Sequence, residues 1–211
     1  MAEPKKAVVV GDSGTQYHPL KGVDEQLSSI LEGEVALSRT EDYDVFRSEG
    51  LAGLDLCISY ADRWEAPLTP EQMAGILGFV AAGGGLLVIH NGISSQSRSE
   101  FAPLVGARFT GHPAYAKLAF QVSAPTHPIM AGAEPFEMED EPYRFEFDSF
   151  AARTVLMQYA HDGTLWDAAW AREWGLGRVV YLAPGHTAGS FGHPAFRRIV
   201  SQSARWAMRG L

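Results

Sequence analysis

Three of the seven histidines come soon after runs of apolar residues that are typical of buried strands. His18 lies in the loop after the first such run, His90 directly follows the run LLVI, and His186 closely follows the run VVYL. In open parallel α/β sheets, ligands bind beyond the carboxyl ends of the strands, because loops and helix N-termini converge there. The spacing therefore predicts that these three imidazoles line one pocket.

A carboxylate partner for these histidines is expected from the acidic stretch EMEDEPYRFEF. Glu141 precedes Pro142, which fixes the local turn, so we expect Glu141 to face the histidines as a general base or a metal ligand. Two or three imidazoles with one carboxylate are typical of a zinc site that keeps an open position for water or substrate. The alternative is that the stretch forms a solvated acidic strand edge.

The remaining histidines occur mostly before proline, where the backbone favours extended or turn geometry. We interpret His127 and His193 as turn residues, and His161 as the end of a strand next to a tight turn. His112 follows the residues RFTG and is compatible either with a turn or with the pocket.

The turn VIHNGISSQS has the outline of a strand-to-helix elbow, which presents the nucleophile in amidotransferases and related hydrolases. His90 and Asn91 occupy its tip, and neither supplies the thiol or hydroxyl that acyl transfer requires. Cys57 belongs to an earlier predicted strand, so glutamine hydrolysis through a cysteine is excluded. Acyl transfer through Ser94 is the weakest alternative, since it needs an oxyanion hole beside that hydroxyl.

Alternating strands and helices must position these groups. Strands are predicted near residues 7–10, 34–38, 55–60 and 86–89. Helices are predicted from 23 to 33, ending at Gly33, and from Pro70, capped by Thr69, to about residue 82. This alternation indicates an α/β fold with a parallel sheet.

The alternation of strands and helices stops between residues 107 and 159, where strand-like segments are separated by short turns. We interpret this region as an inserted antiparallel portion. Strands near 170–174 and 178–182 and an amphipathic helix over 194–208 complete the chain. No linker is evident, so residues 1–211 are expected to form a single domain.

Composition restricts the function class. The formal charge of −8 without a basic cluster argues against nucleic-acid binding. No apolar run reaches the roughly 18 to 20 residues that cross a membrane, and the first apolar stretch is too short for a signal peptide. The single Cys57 is consistent with a reducing compartment, so a cytoplasmic location is expected. No nucleotide cofactor is indicated.

Four stretches give the chain a resemblance to the ThuA-like, or trehalose-utilisation, family over nearly all of its length. They are GGGLLVIHNG at 83–92, LVGARFTGHP at 104–113, HPIMAG with the following EDEPYRF within 127–145, and GRVVYLAPGH at 177–186. The resemblance implies a three-layer, flavodoxin-like fold of the class I glutamine amidotransferase type without the elbow cysteine. It also implies a role in the metabolism of trehalose and related sugars.

These observations predict an enzyme acting on a sugar or keto-sugar by metal-assisted or acid/base hydrolysis, elimination or isomerisation. The expected metal is divalent, with zinc favoured, and its expected ligands are His18, His112, Glu141 and His186. Glu141, His186 and His112 are the expected catalytic groups.

His90, Asn91, Tyr143 and Trp174 are expected to bind the substrate, with Trp166 as a further ring that could stack on a sugar. The expected partner is a small carbohydrate, and a homo-oligomer is compatible with the sequence. The rival prediction is a non-catalytic binding or assembly protein that kept the fold after losing its nucleophile.

Overall fold

A mixed sheet of nine strands forms the centre of the computed structural model, which describes residues 4–210. The described residues form eleven strands, of which all but β5 and β8 belong to this sheet. They are β1 (Lys5–Gly11), β2 (Val35–Thr40), β3 (Leu56–Tyr60), β4 (Gly85–Ile89), β5 (Ala107–Gly111), β6 (Ala116–Val122), β7 (Phe136–Asp140), β8 (Arg144–Phe147), β9 (Thr154–His161), β10 (Thr164–Trp174) and β11 (Gly177–Leu182). The helices are α1 (Val23–Ile30), α2 (Ser48–Leu51), α3 (Pro70–Ala81), α4 (Phe101–Val105) and α5 (Pro194–Ala207). Shorter 3₁₀ segments cover Tyr43–Phe46, His90–Ser97, Pro128–Met130 and Ser190–Gly192.

The first half of the sheet is parallel, with the strand order β2-β1-β3-β4-β11. All residues of β3 and β4 are buried, as their continuous apolar sequences predict for strands covered on both faces. Because these five strands run in one direction, their carboxyl ends meet at one edge. The loops after β1, β4 and β11 therefore begin close together, which is the arrangement needed to gather His18, His90 and His186.

The second half of the sheet is antiparallel and continues the same sheet through β10, β9, β6 and β7. The predicted antiparallel portion is present, while β5 and β8 pair separately as a two-stranded sheet. The stretch EMEDEPYRFEF is divided between β7 and β8 by a turn in which the Tyr143 amide donates to the Glu141 carbonyl. Pro142 has no amide proton to donate to a strand partner, so the chain leaves the sheet at this turn.

Local signals set the helix ends. Thr69 and Gln72 form a reciprocal capping box around Pro70, and α3 ends within one residue of its predicted end. Helix α1 ends at Ile30, earlier than predicted, and Gly33 instead adopts a φ of 78° in the following turn. Helix α5 packs against β4 and β11.

The strand predicted at 170–174 is longer in the structure, because residues from Thr164 onward pair with β9. Within residues 4–210, no helix combines the length and apolar character that crossing a membrane requires.

Candidate functional site

Four side chains from distant parts of the chain meet at the carboxyl edge of the parallel strands. His18, His90, Glu141 and His186, here called the imidazole–carboxylate cluster, each offer a ligand atom, and all four atoms lie within 4.8 Å of one another. Three follow β1, β4 and β11, and Glu141 follows β7. The structure thus brings together His18, Glu141 and His186, and it adds His90 as a direct member of the group.

The backbone at His90 has the geometry of a tight elbow. His90 adopts a φ of 47°, in the left-handed region that is uncommon for residues other than glycine. Two residues later, a Cβ atom added to Gly92 would lie 2.3 Å from the Ser59 carbonyl oxygen, so only glycine fits there. The elbow outline seen in the sequence is therefore present, and it directs an imidazole into the site.

The hydrogen bonds of His90 determine which of its nitrogens carries the proton. Its Nδ1 lies 2.6 Å from the Ala183 carbonyl oxygen, which can only accept, so Nδ1 is the protonated nitrogen. Burial lowers the pKa of His90, while Glu141 and Asp140 oppose that effect. Its Nε2 lies 3.2 Å from the Glu141 Oε2 atom, and in the neutral ring this nitrogen carries the lone pair.

His18 and His186 also face the Glu141 carboxylate without good hydrogen bonds. His18 Nδ1 lies 3.6 Å from Asp62 Oδ2 and its Nε2 lies 3.8 Å from Glu141 Oε2, so both nitrogens of this buried ring have no hydrogen-bond partner among the described residues. His186 Nδ1 lies 3.2 Å from Glu141 Oε2 without hydrogen-bond alignment. These nitrogens are available to a water, an ion or a ligand.

Electrostatics favour an ionised Glu141. Burial raises the pKa of this carboxyl group, but the imidazoles of His18, His186 and His90, in the forms that donate a hydrogen bond or carry a proton, outweigh burial and lower it. Burial likewise lowers the pKa of His18, while the Asp62 and Glu141 carboxylates outweigh that effect and raise it. The cluster thus concentrates negative charge and imidazole lone pairs at one point.

The donor set fits a divalent metal of the zinc type. Nitrogen and oxygen ligands at about 2.0 to 2.1 Å around tetrahedral zinc lie roughly 3.3 Å from one another. The separations from Glu141 Oε2 to His90 and His186 are both 3.2 Å, and the one to His18 is 3.8 Å. A cation between these atoms would be bound by His90 Nε2 and by the His18 nitrogen that faces Glu141, Nε2.

Asp140 supports the cluster through hydrogen bonds to the loop that carries His186. The sequence analysis did not single out this residue. This fully buried carboxylate accepts hydrogen bonds from the Gly185 amide at 2.9 Å and the Ser190 hydroxyl at 2.8 Å, with a longer one from the His186 amide at 3.4 Å. It thereby ties the end of β7 to the loop that carries His186. The alternation of β7, in which Met138 and Asp140 both point inward, is the signal that could have found it.

His112 lies at the rim of the cluster rather than inside it. Its Nε2 is 3.8 Å from Glu141 Oε1, and its side chain is about a third exposed. Its Nδ1 lies 2.8 Å from the Pro113 carbonyl oxygen, so Nδ1 donates and Nε2 keeps its lone pair. His90 therefore occupies the inner position that the sequence analysis gave to His112.

Asn91 and Ser94 point away from the cluster in fully buried positions. Asn91 Nδ2 donates to the carbonyl oxygens of Tyr60 and Ala61. The Ser94 hydroxyl donates to the Ala61 carbonyl at 2.9 Å and accepts from the Arg63 amide at 2.7 Å. Both side chains hold the loop after β3 in place, which leaves Ser94 without the free hydroxyl that a nucleophile requires.

The aromatic residues predicted to bind substrate lie in different places. Tyr143 is buried and stacks on His90 with ring centroids 4.1 Å apart. Trp174 pairs with Gly177, the first residue of β11, so it lies at the edge opposite the cluster. Trp166 lies beneath the Arg144 guanidinium, 3.7 Å away. The structure therefore brings only Tyr143 to the cluster.

The other histidines hold structural positions. His127 accepts from the Ile129 amide at the start of a 3₁₀ turn, and His193 precedes α5 and stacks on Phe136. His161 ends β9 and accepts from Arg144.

A cleft of about 800 Å³ opens beside His18 and is lined by two aromatic residues that the sequence analysis missed, Tyr17 and Trp64. Both lie in loops without periodic pattern, Tyr17 after β1 and Trp64 after β3. Their exposure is visible only once those loops are placed side by side.

Comparison with known proteins gives a family and a fold. The family model ThuA, described as trehalose utilisation, matches residues 6–207. No curated protein matches the sequence.

Several solved structures are similar. A ThuA-like protein from Parabacteroides merdae ATCC 43184 superposes with a TM-score of 0.82 at 15% identity, over 99% of this chain and 91% of that one. A cytoplasmic protein from Salmonella typhimurium LT2 gives a TM-score of 0.68 at 15% identity, over 96% of each chain. A cold-adapted β-galactosidase from Rahnella sp. R3 gives 0.68 at 15% identity, over 99% of this chain but 32% of that one. At these identities the matches show a shared fold.

Proposed function

We propose, from the premise that the chain belongs to the ThuA family of trehalose utilisation, that it is a metal-dependent enzyme of carbohydrate metabolism. Its substrate is a sugar or keto-sugar related to trehalose. The imidazole–carboxylate cluster holds one divalent ion, with zinc favoured. The reaction is a hydrolysis, elimination or isomerisation that depends on proton transfer.

One observation carries this proposal: the ligand atoms of His18, His90, Glu141 and His186 all lie within 4.8 Å of one another. Three imidazoles and a carboxylate form the borderline donor set that suits zinc. In the neutral form of His90 that is protonated at Nδ1, Nε2 and Glu141 Oε2 are both acceptors, and a bound cation would match them.

Each supporting residue has a role that its contacts define. Asp62 Oδ2 lies 3.6 Å from His18 Nδ1, on the side of the ring where a metal-binding histidine normally has its outer carboxylate. Asp140 fixes the backbone of the loop that carries His186. When bound, the metal supplies Lewis-acid chemistry toward a carbonyl or hydroxyl oxygen.

His112 is the group best placed to move a proton. Its Nε2 lone pair is accessible, and its Nδ1 proton is committed to the Pro113 carbonyl oxygen. An imidazole in this state accepts a proton from a sugar hydroxyl or carbon and can return it to the product. Glu141 Oε1, 3.8 Å from that nitrogen, stabilises the imidazolium that forms.

The location proposed for this enzyme is the cytoplasm. Cys57 is a free, buried thiol, which is consistent with a reducing compartment. The similar Salmonella protein also carries the description cytoplasmic.

The proposal is tested by measuring metal content and turnover in the same preparations. Elemental analysis of the purified protein is expected to find one divalent ion per chain. Trehalose and 3-keto-disaccharides are then screened for turnover with and without a chelator, and turnover is expected to be lost with the chelator. His161→Ala, which removes a histidine outside the cluster, is the matched control for His186→Ala.

Absence of metal from the purified protein and from protein incubated with zinc would overturn the metal centre. Bound metal with no turnover of any of these sugars would favour the non-catalytic binding protein.

A further inference from the structure

We infer that the cleft beside His18 selects uncharged sugars and rejects sugars that carry a phosphate or carboxylate group. This inference rests on the proposed function and specifies the substrate class of the same site. The acidic cleft is defined here by Asp12, His18, Glu41, Asp62, Trp64 and Glu65. Its volume of about 800 Å³ falls within the range of roughly 300 to 1,000 Å³ that is typical of small-molecule sites.

His18 connects this cleft to the imidazole–carboxylate cluster. The residue is nine-tenths buried, lines the cleft, and has two ring nitrogens without hydrogen-bond partners in the described chain. Asp62 also belongs to both, because it lines the cleft and lies 3.6 Å from His18 Nδ1. A molecule in the acidic cleft therefore touches the same ring that faces Glu141.

The charged side chains that line the cleft are predominantly acidic. Asp12, Glu41, Asp62 and Glu65 contribute four carboxylates, and no lysine or arginine is among the described residues that line it. Ionised carboxylates only accept hydrogen bonds, so they match the hydroxyl donors of a sugar. The same carboxylates repel a phosphate or a uronic acid over several ångströms.

Arg39 interacts electrostatically with Glu41 and offsets part of the charge of the cleft, but Arg39 and Arg63 make their closest contacts outside its lining. The Arg63 guanidinium stacks over the Tyr43 ring at 4.2 Å, and Arg39 pairs with the buried Asp24. Tyr43 in turn donates its hydroxyl to Asp12. These contacts hold Asp12 in place while leaving the carboxylates of the cleft without a basic residue in its lining.

Two aromatic rings give the cleft an apolar surface for a pyranose ring. Trp64 is 38% exposed and Tyr17 is 64% exposed, which is unusual for side chains of this size. Trp64 packs on Phe109 at 5.3 Å, Phe109 packs on Tyr143 at 4.3 Å, and Tyr143 stacks on His90 at 4.1 Å. This row of rings leads from the cleft to the cluster and holds Trp64 in a fixed orientation.

The test compares trehalose with trehalose 6-phosphate, which differ by one anionic group. Calorimetric titrations use the full chain as purified, at low ionic strength and pH 7. Trehalose 6-phosphate is expected to bind on the order of tenfold more weakly, or worse, because of the carboxylates that line the cleft. Added salt is expected to narrow the difference, since it screens exposed charges.

Two variants test separately the repulsion by the carboxylates of the cleft and the stacking of the sugar on Trp64. The double variant Glu41→Gln with Glu65→Gln is expected to improve binding of the phosphorylated sugar severalfold and to change trehalose binding less. Trp64→Ala is expected to weaken trehalose binding by about tenfold, because it removes the stacking surface. Trp166→Ala, which truncates a tryptophan under Arg144, is the matched control and should leave both affinities unchanged.

Equal or tighter binding of the phosphorylated sugar would overturn the inference, as would trehalose binding that is absent or insensitive to Trp64→Ala. This failure is distinguishable from failure of the proposed function. Protein that holds its metal and turns over a sugar while preferring anionic substrates would contradict only the selectivity of the acidic cleft. Protein without metal that still prefers trehalose would contradict only the metal-dependent enzyme.

Discussion

Two groups of side chains containing histidine lie in different parts of the sheet and differ in how their hydrogen bonds are matched. On β8 and β9, the Arg144 guanidinium donates to the Tyr159 hydroxyl and to His161 Nδ1, the latter at 2.9 Å. At the carboxyl edge of the parallel strands, His90 Nε2 lies 3.2 Å from the Glu141 carboxylate, and the two are both acceptors when His90 is neutral and protonated at Nδ1. In the first group, here called the arginine–histidine group, Arg144 supplies a donor to both acceptors, although His161 Nδ1 also lies 3.0 Å from Asp162 Oδ2. In the imidazole–carboxylate cluster, the Glu141 carboxylate faces imidazoles instead.

This contrast separates a structural histidine from one that binds something. Buried polar groups are normally satisfied within the protein, and leaving one unsatisfied costs roughly 1 to 3 kcal/mol. A cluster that gathers several imidazole nitrogens without protein partners at one point needs a water, a ligand or an ion to complete it. The predictions that follow test whether this difference between the two groups is real.

The largest expected effect is loss of metal on Glu141→Gln. An amide is a weaker ligand and carries no charge, so zinc affinity should fall by about 100-fold or more. Competition with a chromophoric chelator measures this change. Unchanged affinity would show that the carboxylate is not a ligand, and the cluster would then resemble the arginine–histidine group.

The next largest effect is expected from Asp140→Asn. In either orientation of the substituted amide its NH2 group faces a backbone amide that also donates, Gly185 at one position or Glu141 at the other, so the free energy of unfolding should fall by about 1 to 3 kcal/mol. Zinc affinity should fall by roughly 10- to 100-fold, because the loop that carries His186 is less well held. Urea denaturation and chelator competition check the two parts. A stability loss with unchanged zinc affinity would limit Asp140 to a folding role.

A smaller effect is expected in the pH dependence of the metal-free protein. The pKa of His18 is raised above its unfolded value of 6.5, so its contribution to stability is present below pH 6.5 and is lost as the pH rises through the folded pKa. The pKa of Glu141 is lowered from 4.5, so its contribution is present above pH 4.5 and is lost as the pH falls through the folded pKa.

The stability advantage of the wild type over Glu141→Gln should therefore be greatest between about pH 4.5 and 6.5 without metal. Zinc should move this maximum to higher pH, because its imidazole ligands must be deprotonated. Denaturation curves at several pH values, with and without zinc, measure both maxima. An advantage that does not vary with pH would contradict the coupling between His18 and Glu141.

The smallest effect is expected from His161→Ala in the arginine–histidine group. Arg144 keeps its hydrogen bond to Tyr159 and its stacking on Trp166, so the unfolding free energy should fall by only about 1 kcal/mol. Metal content and turnover should not change. Loss of metal in this variant would remove the distinction between the two groups.

Much of the fold and part of the site can be predicted from the sequence. The capping residues Thr69 and Pro70 and the apolar runs of β3 and β4 are local signals, and the structure agrees with them. His18, His90 and His186 could be grouped because the carboxyl ends of parallel strands share one edge. Glu141 could be added because the strand breaks at Pro142.

Other parts depend on long-range arrangement. Trp174 lies at the wrong edge because β10 runs antiparallel to β11, and nothing local to Trp174 specifies that direction. The supporting role of Asp140 depends on which face of β7 meets the loop after β11. Trp64 lies in a loop without periodicity, so its exposure beside His18 follows only from the placement of two loops.

The most direct test of the central claim is ¹⁵N NMR of the histidine rings, with and without one equivalent of zinc. The account predicts that metal-free His90 at pH 7 is neutral and protonated at Nδ1, and that zinc shifts the Nε2 resonance of His90 together with resonances of His18 and His186. The His161 resonances should not move. A His90 ring protonated at Nε2, or cluster resonances that do not respond to zinc, would contradict the claim that the site is built to hold a cation.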